Sequence, residues 1–271
     1  MNALTRHRVS VTGRLDGPTI VFAHGFGCDQ HMWRWVAPAF EDEFRVVLFD
    51  HAGAGQADPS AYDDVRHATL QGYADDVVEI CRELGVSGGV FVGHSVSCMI
   101  GVLADQAAPD LFERLVLVGP SPRYTDTDDY VGGFSEADIH DMLESLASNY
   151  LGWSSAMAPV IMGDTEQPGL GDELTDSFCR SDPEIARRFA EVTFLSDNRA
   201  DLAGVSKPTL VLQCTKDVIA PVTVGQYVVD AMPRATMVML EVSGHCPHMS
   251  APEETIAAIR PFVRHPAVLP T

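Results

Sequence analysis

The sequence predicts an α/β protein with an open, mostly parallel β-sheet and helices on both faces of that sheet. Short apolar runs rich in β-branched residues alternate with segments of helical periodicity over most of the 271 residues. The runs are apolar at nearly every position, as expected for strands buried on both faces of a sheet. The alternation is interrupted once, between residues 123 and 201, where helical segments follow one another without a strand.

The predicted strands are six apolar runs and an edge hairpin. The six runs are Thr19–Ala23, Arg45–Phe49, Gly89–Val92, Arg114–Val118, Thr209–Gln213 and Thr236–Leu240. Residues 8–12, followed by a turn region between Gly13 and Gly17, predict an antiparallel hairpin at one edge. The expected sheet therefore has eight strands.

Four helices are predicted between these strands, over residues 70–84, 96–107, 222–231 and 252–263. Their basis is periodicity: in the first of them, Tyr73, Val77, Ile80 and Leu84 recur at the spacing of one helix face.

Residues 123–201 are predicted to form a helical lid, inserted into a core made of residues 1–122 and 202–271. Helical periodicity is clear over Asp138–Tyr150 and Pro183–Leu195. An insertion at this point lies over the carboxyl edge of the sheet, where ligands bind in open α/β folds. A helical subdomain with no part in a binding site is the alternative interpretation.

Composition excludes several functions. The chain has 18 Lys and Arg against 38 Asp and Glu, a formal net charge of −20 with His neutral. Nucleic-acid binding needs clustered basic residues to neutralise phosphates, and docking on an anionic membrane surface needs them too. We therefore expect no nucleic-acid partner and no membrane association.

Cysteine usage and the N-terminal residues point to a reducing compartment. The six cysteines form no Cys-x-x-Cys pair, and most lie in apolar runs, where Cys acts as a small buried hydrophobe. The first ten residues lack the apolar core of a signal peptide, and no apolar run reaches about 20 residues. We expect a cytoplasmic protein without disulfides or a zinc site.

A candidate nucleophile, Ser95, lies in the segment Gly93-His94-Ser95-Val96-Ser97, directly after a predicted strand and at the start of a predicted helix. A serine at such a sharp turn is held above the sheet, and small neighbours permit the strained backbone. The pattern is G-x-S-x-S, which is less specific than G-x-S-x-G. An ordinary β–α turn with Ser95 as a helix cap is the competing interpretation.

Two further residues complete a possible catalytic triad. A serine hydroxyl needs a base to take its proton and a third group to orient that base. Asp217 and His245 each follow a predicted strand, at the same sheet edge as Ser95. The order Ser95, Asp217, His245 is the order of an α/β-hydrolase. His248, three residues after His245, is the competing base; we favour His245, because it directly follows Gly244 at the strand end.

Backbone donors for an oxyanion hole are predicted at Phe26 and Val96. The glycines of His24-Gly25-Phe26-Gly27 let the chain turn so that the Phe26 N–H points at a reacting carbonyl. The Val96 N–H, just after the nucleophile, lies at a helix N-terminus. A metal role for His24 is less favoured, because its spacing from other histidines fits no familiar ligand set.

Several segments together resemble the RsbQ-type α/β-hydrolases of bacteria, which are similar to the karrikin and strigolactone receptors of plants. The resemblance covers about residues 8–264, lid included, and rests on HGFGCDQHMW, GHSVSCMIG, VGPSPRY, YVGGF, FCRSDPEIARRFA, FLSDNRADL, QCTKDVIAPVTVG and GHCPHMSAPEETI. It implies the triad and oxyanion donors already named, a lid of four helices over a mostly apolar pocket, and no cofactor or metal. Together with Phe26, the candidate lining residues are Phe134, Trp153, Met157, Phe189, Phe194 and Ile219, with plain packing between lid and core as the alternative for about half of them.

Two functions follow from these residues and this resemblance. The first is a serine hydrolase for a small hydrophobic ester or lactone, acting through an acyl-enzyme. The second is a signalling protein with slow turnover that responds to a small hydrophobic ligand and contacts a protein partner. The RsbQ-type proteins of bacteria and the receptors of plants both retain the triad. The presence of a triad therefore does not decide between the two functions.

Overall fold

The computed structural model describes residues 1–163, 167 and 169–264. Residues 164–166 and 168 of the predicted lid and residues 265–271 of the predicted core lie outside the described residues. Within the described ranges the chain forms one seven-stranded sheet with the strand order β1-β3-β2-β4-β5-β6-β7. The strands are β1 (Ser10–Gly13), β2 (Thr19–Ala23), β3 (Arg45–Leu48), β4 (Gly89–His94), β5 (Phe112–Val118), β6 (Thr209–Lys216) and β7 (Ala235–Ser243).

Parallel pairing prevails, so the carboxyl ends of β2 to β7 meet at one edge of the sheet. Among the described strands only β1 is antiparallel, and it pairs with β3. β2, β4 and the first six of the eight residues of β6 are buried, which explains why their sequences are apolar without alternation. All six predicted apolar strands are present, most of them a few residues longer than predicted.

The predicted edge hairpin and the count of eight strands were wrong for the described residues. Residues 14–18 form a turn, in which the Arg14 N–H donates to the Phe44 carbonyl and the Gly17 N–H donates to the Arg14 carbonyl. β1 and β2 are therefore neighbours in sequence but not in the sheet, because β3 lies between them. β1 is a single antiparallel edge strand.

The helices of the core agree with the periodicity of the sequence. They are α1 (Ala3–Arg6), α2 (Leu70–Glu83), α3 (Val96–Ala107), α8 (Val222–Ala231), α9 (Pro247–Ser250) and α10 (Pro252–Arg264), and the helices of the insertion come between α3 and α8. Short 3-10 segments cover Gln30–Trp33, Ala37–Phe40, Pro59–Ala61, Arg66–Ala68 and Arg199–Gly204. None of the described helices has the length and apolar character that crossing a bilayer requires.

Between β5 and β6 lie the four insertion helices: α4 (Glu136–Ser148), α5 (Tyr150–Met162), α6 (Gly169–Arg180) and α7 (Pro183–Phe194). The predicted segment Asp138–Tyr150 is divided between two helices, because Asn149 leaves the helical conformation and its side chain caps α5 by accepting the Gly152 N–H. α4 begins at a capping box formed by Ser135 and Asp138.

The insertion shares one apolar core with one face of the sheet. Side chains of α4 to α7, such as Leu146 and Phe178, belong to the same buried cluster as Phe22 of β2. Salt bridges at the periphery add to this contact: Arg180 of α6 lies 2.9 Å from Asp29. The insertion is therefore packed directly on the edge of the sheet where the parallel strands end.

One buried acid in α3 carries a stability prediction. The side chain of Asp105 is buried, and its Oδ1 has no hydrogen-bond partner among the described residues. Burial raises the pKa of Asp105 to about 6, and nearby Lys207 only partly opposes this. Since the folded protein then binds more protons than the unfolded chain between about pH 4 and 6, stability is lost as the pH rises through that window.

In the wild type, Asp105 lowers the free energy of unfolding as the pH rises from 4 to 7. We predict that Asp105→Asn removes about 1–2 kcal/mol of this loss. Urea denaturation at the two pH values measures this difference. The exposed Asp230→Asn is the matched control and is expected to leave it unchanged. Equal pH dependence in wild type and Asp105→Asn would contradict the prediction.

Candidate active site

Ser95 occupies a strained turn between β4 and α3. Its backbone has φ 57° and ψ −123°, and among the described residues other than glycine it shares a positive φ only with Arg8. The turn is tight on both sides: a Cβ added at Gly93 would lie 2.6 Å from the Ser97 carbonyl oxygen. This conformation lifts the Ser95 side chain above the carboxyl edge of the sheet, as expected for a nucleophile.

Ser95, His245 and Asp217 form one chain of hydrogen bonds. The Ser95 Oγ lies 2.8 Å from the His245 Nε2, and the His245 Nδ1 lies 2.7 Å from Oδ2 of Asp217. The other carboxylate oxygen of Asp217 accepts the N–H groups of Ile219 and Ala220. All three members of this chain are buried. The aspartate is thus fixed by its own loop and orients the imidazole toward the serine.

His248 lies behind His245 and contacts neither Ser95 nor Asp217 through a hydrogen bond among the described residues. Its ring packs on Trp33 and on His94, with ring centroids 4.5 and 4.4 Å apart. Burial lowers the pKa of His248 to about 3, so it is a neutral packing group near pH 7. The geometry thus favours His245 over His248 as the base.

His94 connects the serine turn to the histidine loop. Its Nε2 lies 2.9 Å from the His245 carbonyl oxygen, which can only accept, so the Nε2 carries the proton and donates. Burial places the pKa of His94 well below its ordinary value, which keeps the ring neutral. The residue before the proposed nucleophile therefore holds the backbone of the proposed base in place.

The predicted oxyanion donors are the backbone N–H groups of Phe26 and Val96. Phe26 follows β2 and borders the cavity above Ser95, and within the described part of the chain its N–H has no hydrogen-bond acceptor. Val96 is the first residue of α3, where N–H groups have no partner inside the helix. A Cβ added at Gly25 would lie 2.7 Å from the His94 Nδ1, so a glycine is needed for this close approach of the two loops.

A small apolar cavity lies above the serine, between the sheet edge and the insertion. The free space within it is about 30 Å³. Of the predicted lining residues, the structure places Phe26, Trp153, Met157, Phe194 and Ile219 around it. The cavity is also lined by ten residues that were not predicted as lining: Cys28, His94, Ser95, Met142, Ile161, Leu174, Phe178, Thr193, His245 and Cys246.

Phe134 and Phe189 do not line this cavity, contrary to the prediction. Phe189 points toward the core, where its ring stacks on Tyr73 with the centroids 4.3 Å apart. Phe134 is part of a loop before α4 whose backbone pairs with residues 124–126, and its side chain packs against the main apolar cluster. Both predictions rested on the aromatic character of the lid sequence, and that character does not specify the direction in which a side chain points.

Phe178 and Leu174 were missed by the sequence reasoning. They lie on α6, where Leu170, Leu174 and Phe178 repeat at a spacing of four residues and are all buried. That periodicity was the signal that could have identified them. Phe178 contacts the ring of Phe26, with centroids 5.6 Å apart.

The insertion also touches the loop that carries the proposed base. The His245 N–H donates to the carbonyl of Ile161, near the end of α5, over 2.7 Å. A Cβ added at Gly244 would lie 2.0 Å from the Met162 carbonyl oxygen, and Gly244 has φ 94°. The end of α5 and the loop of His245 are therefore in direct backbone contact.

Three potential metal ligands in the described part of the chain come together at His94, Cys246 and His248, with one ligand atom from each within 4.8 Å of the others. Burial raises the pKa of Cys246 well above its ordinary value, so the thiol stays protonated. The two imidazoles are neutral, and one of them already donates to the His245 backbone. The cluster thus packs as three uncharged groups behind the proposed base.

Residues 20–258 match the sequence profile of the alpha/beta hydrolase family. The chain therefore belongs to the alpha/beta hydrolase family. This confirms the predicted fold class and the predicted enzyme class.

Similar proteins of known name include plant receptors and esterases. The chain is 38% identical over 260 residues to Karrikin insensitive 2 receptor CA of Petunia hybrida, covering 96% of each chain. It is 38% identical over 261 residues to a strigolactone esterase of Arabidopsis thaliana, covering 96% of this chain and 97% of the relative. A solved hydrolase from Oleispira antarctica superposes with a TM-score of 0.94 at 36% identity, covering 97% of each chain. The expected resemblance to the plant receptor hydrolases is thus confirmed.

Gly27 is the contact point between the loop of Phe26 and the insertion. Its φ is 72°, and an added Cβ would lie 1.8 Å from the ring of Phe178. We predict that Gly27→Ala lowers the free energy of unfolding by about 1–3 kcal/mol, because the backbone is strained and the ring must move. Urea denaturation measures the loss.

Gly171→Ala is the matched control for Gly27→Ala. Gly171 lies on α6, the helix that carries Phe178, but an added Cβ there would meet Pro159 at an ordinary contact distance of 3.5 Å. We expect the control to unfold at the wild-type urea concentration or above it. Equal destabilisation by the two substitutions would show that the contact with Phe178 is not the cause.

Proposed function

We propose that the protein is a serine hydrolase that cleaves a small hydrophobic ester or lactone through an acyl-enzyme. The observation that carries the proposal is the continuous hydrogen-bonded chain from Ser95 through His245 to Asp217, placed under an apolar cavity. Membership of the alpha/beta hydrolase family supports it.

In the proposed mechanism the Ser95 Oγ attacks the substrate carbonyl carbon while the His245 Nε2 takes the hydroxyl proton. Asp217 holds the Nδ1–H of the imidazole and stabilises the imidazolium that forms. The Phe26 and Val96 N–H groups donate to the oxyanion. The imidazolium then protonates the leaving oxygen, and a water activated by His245 hydrolyses the acyl-enzyme.

The proposed substrate is uncharged and largely apolar. Among the described residues, aromatic, aliphatic and methionine side chains provide most of the cavity lining, and no Lys, Arg, Asp or Glu lines it. Because the free space is only about 30 Å³, a substrate must displace side chains, and Met142 and Met157 have the flexible side chains to allow this. The similarity to a strigolactone esterase favours a lactone or an ester of comparable character.

Residues 123–201 act as a lid in this proposal, with residues 1–122 and 202–271 as the core. The lid role is supported by the position of α4 to α7 over the cavity and by the contact of α5 with His245. We further propose a reducing, cytoplasmic compartment, which is supported by six free cysteines, five of them buried.

We predict that the wild-type protein hydrolyses 4-nitrophenyl acetate and that Ser95→Ala lowers kcat by about 10³-fold or more, because the nucleophile is lost. Release of nitrophenol measures the rate. Ser154→Ala, which removes another buried hydroxyl that donates to the Tyr150 carbonyl, is the control and should remain active. Undiminished activity of Ser95→Ala would refute the mechanism.

A second candidate function is ligand-dependent signalling with slow turnover and a protein partner. It is favoured by the direct backbone contact between His245 and Ile161, through which an event at the base can reach the lid. The similarity to a karrikin receptor over 96% of the chain also supports it.

For this second function we predict that a butenolide lactone changes amide hydrogen exchange in α5 and in residues 244–250 together. The change is expected because the two segments share a hydrogen bond. Hydrogen exchange with mass spectrometry, with and without the lactone, measures it. Fast turnover of the lactone with unchanged exchange in both segments would count against signalling.

A further inference from the structure

Ser97 departs from the usual elbow pattern and is placed where its hydroxyl can act. It lies in the first turn of α3 and is completely buried. Its Oγ is 2.5 Å from the His24 carbonyl oxygen and 2.7 Å from the His51 Nε2. A glycine at this position, as in G-x-S-x-G, would make neither contact.

The protons of this cluster can be assigned from donor and acceptor chemistry. The His24 carbonyl oxygen can only accept, so the single proton of Ser97 is donated to it. The Oγ of Ser97 must then accept from the Nε2–H of His51. His51 also donates its backbone N–H to the His24 Nε2, over 3.1 Å.

The second ring nitrogen of His24 completes the arrangement. Because its Nε2 is an acceptor, its Nδ1 carries the proton and donates to the Gly25 carbonyl, 2.9 Å away. Both imidazoles are then neutral, and burial lowers the pKa of His24 and of His51 in agreement with this. The three residues form a closed ring of hydrogen bonds with one consistent set of protons.

This ring joins the loop of Phe26 to the first turn of α3, and these two segments carry the proposed oxyanion donors. His24 precedes Phe26 by two residues, and Ser97 follows Val96 directly. The hydroxyl of Ser97 bridges a sequence separation of 73 residues with a single atom. This hydrogen bond therefore links the backbone just before Phe26 to the residue just after Val96.

We infer that Ser97, held in orientation by His51, is a positioning residue for the oxyanion hole; this inference rests on the proposed function. An oxyanion exists only in the transition state and the tetrahedral intermediate, so a displaced donor lowers kcat and leaves substrate binding unaffected. Removal of a whole donor costs about 10²–10³ in kcat, and a displaced donor costs less.

The test compares Ser97→Ala and Ser97→Gly with the wild type on 4-nitrophenyl butyrate. We expect both variants to lower kcat by about tenfold and to change KM by less than about threefold, which separates transition-state from ground-state effects. The Ki of an alkyl boronic acid, whose tetrahedral adduct with Ser95 places an oxygen in the hole, should rise by about the same factor as kcat falls.

A second buried hydroxyl serves as the matched control. Thr255 is fully buried and donates to the Ala251 carbonyl over 2.9 Å, at the start of α10. Thr255→Val removes this hydrogen bond and leaves the loop of Phe26 and the first turn of α3 unchanged. The values of kcat, KM and the boronic acid Ki should therefore stay at those of the wild type. Thermal unfolding shows whether the variants are folded at the assay temperature.

The outcomes separate this inference from the proposed function. An active wild type with unchanged kcat and Ki in both Ser97 variants overturns the inference alone. So does a loss of kcat with unchanged boronic acid affinity, because the hydroxyl then serves the fold and not the hole. A wild type that hydrolyses no ester overturns the proposed function and this inference together.

Discussion

The backbone of Ser95 is the constraint on which the rest of this site depends. A positive φ at a residue with a Cβ costs about 1–2 kcal/mol, and the surrounding structure must supply that energy. It does so through β4 and α3, which are both buried and leave the connecting turn no alternative path. The close contacts at Gly93 and Gly25 follow from the same turn, because side chains there would collide with it.

Around this turn the site is assembled from neutral hydrogen-bonded groups. Burial keeps the imidazoles of His24, His51, His94 and His248 uncharged, so they act as fixed donors, acceptors and packing surfaces. Asp217 has both carboxylate oxygens occupied by N–H donors, one of them the Nδ1–H of His245. This arrangement restricts the movement of His245 and gives the proposed base one orientation.

The helical insertion closes the site by packing, and it does so with aromatic rings. Phe26 is at the centre, in contact with the rings of Trp153, Phe178, Phe189 and Phe194. Phe26 also supplies a proposed oxyanion donor. The ring contacts that hold the insertion therefore also hold the residue that carries this donor. The formal net charge of the chain is −20, yet none of the described residues that line the cavity is Lys, Arg, Asp or Glu.

The sequence by itself determined the alternation of six apolar strands with helices along the chain and the polar residues that follow those strands. Ser95, Asp217 and His245 could be selected because parallel strands bring their carboxyl ends to one edge, a consequence of local pattern alone. Tertiary structure decided the rest: β3 lies between β1 and β2, Phe189 turns to Tyr73, and Phe178 covers Gly27. Tertiary structure also decided the hydrogen bond from Ser97 to the His24 carbonyl, since it joins residues 73 positions apart. Periodicity describes the faces of one element, whereas such contacts depend on how separate elements pack, which no local pattern records.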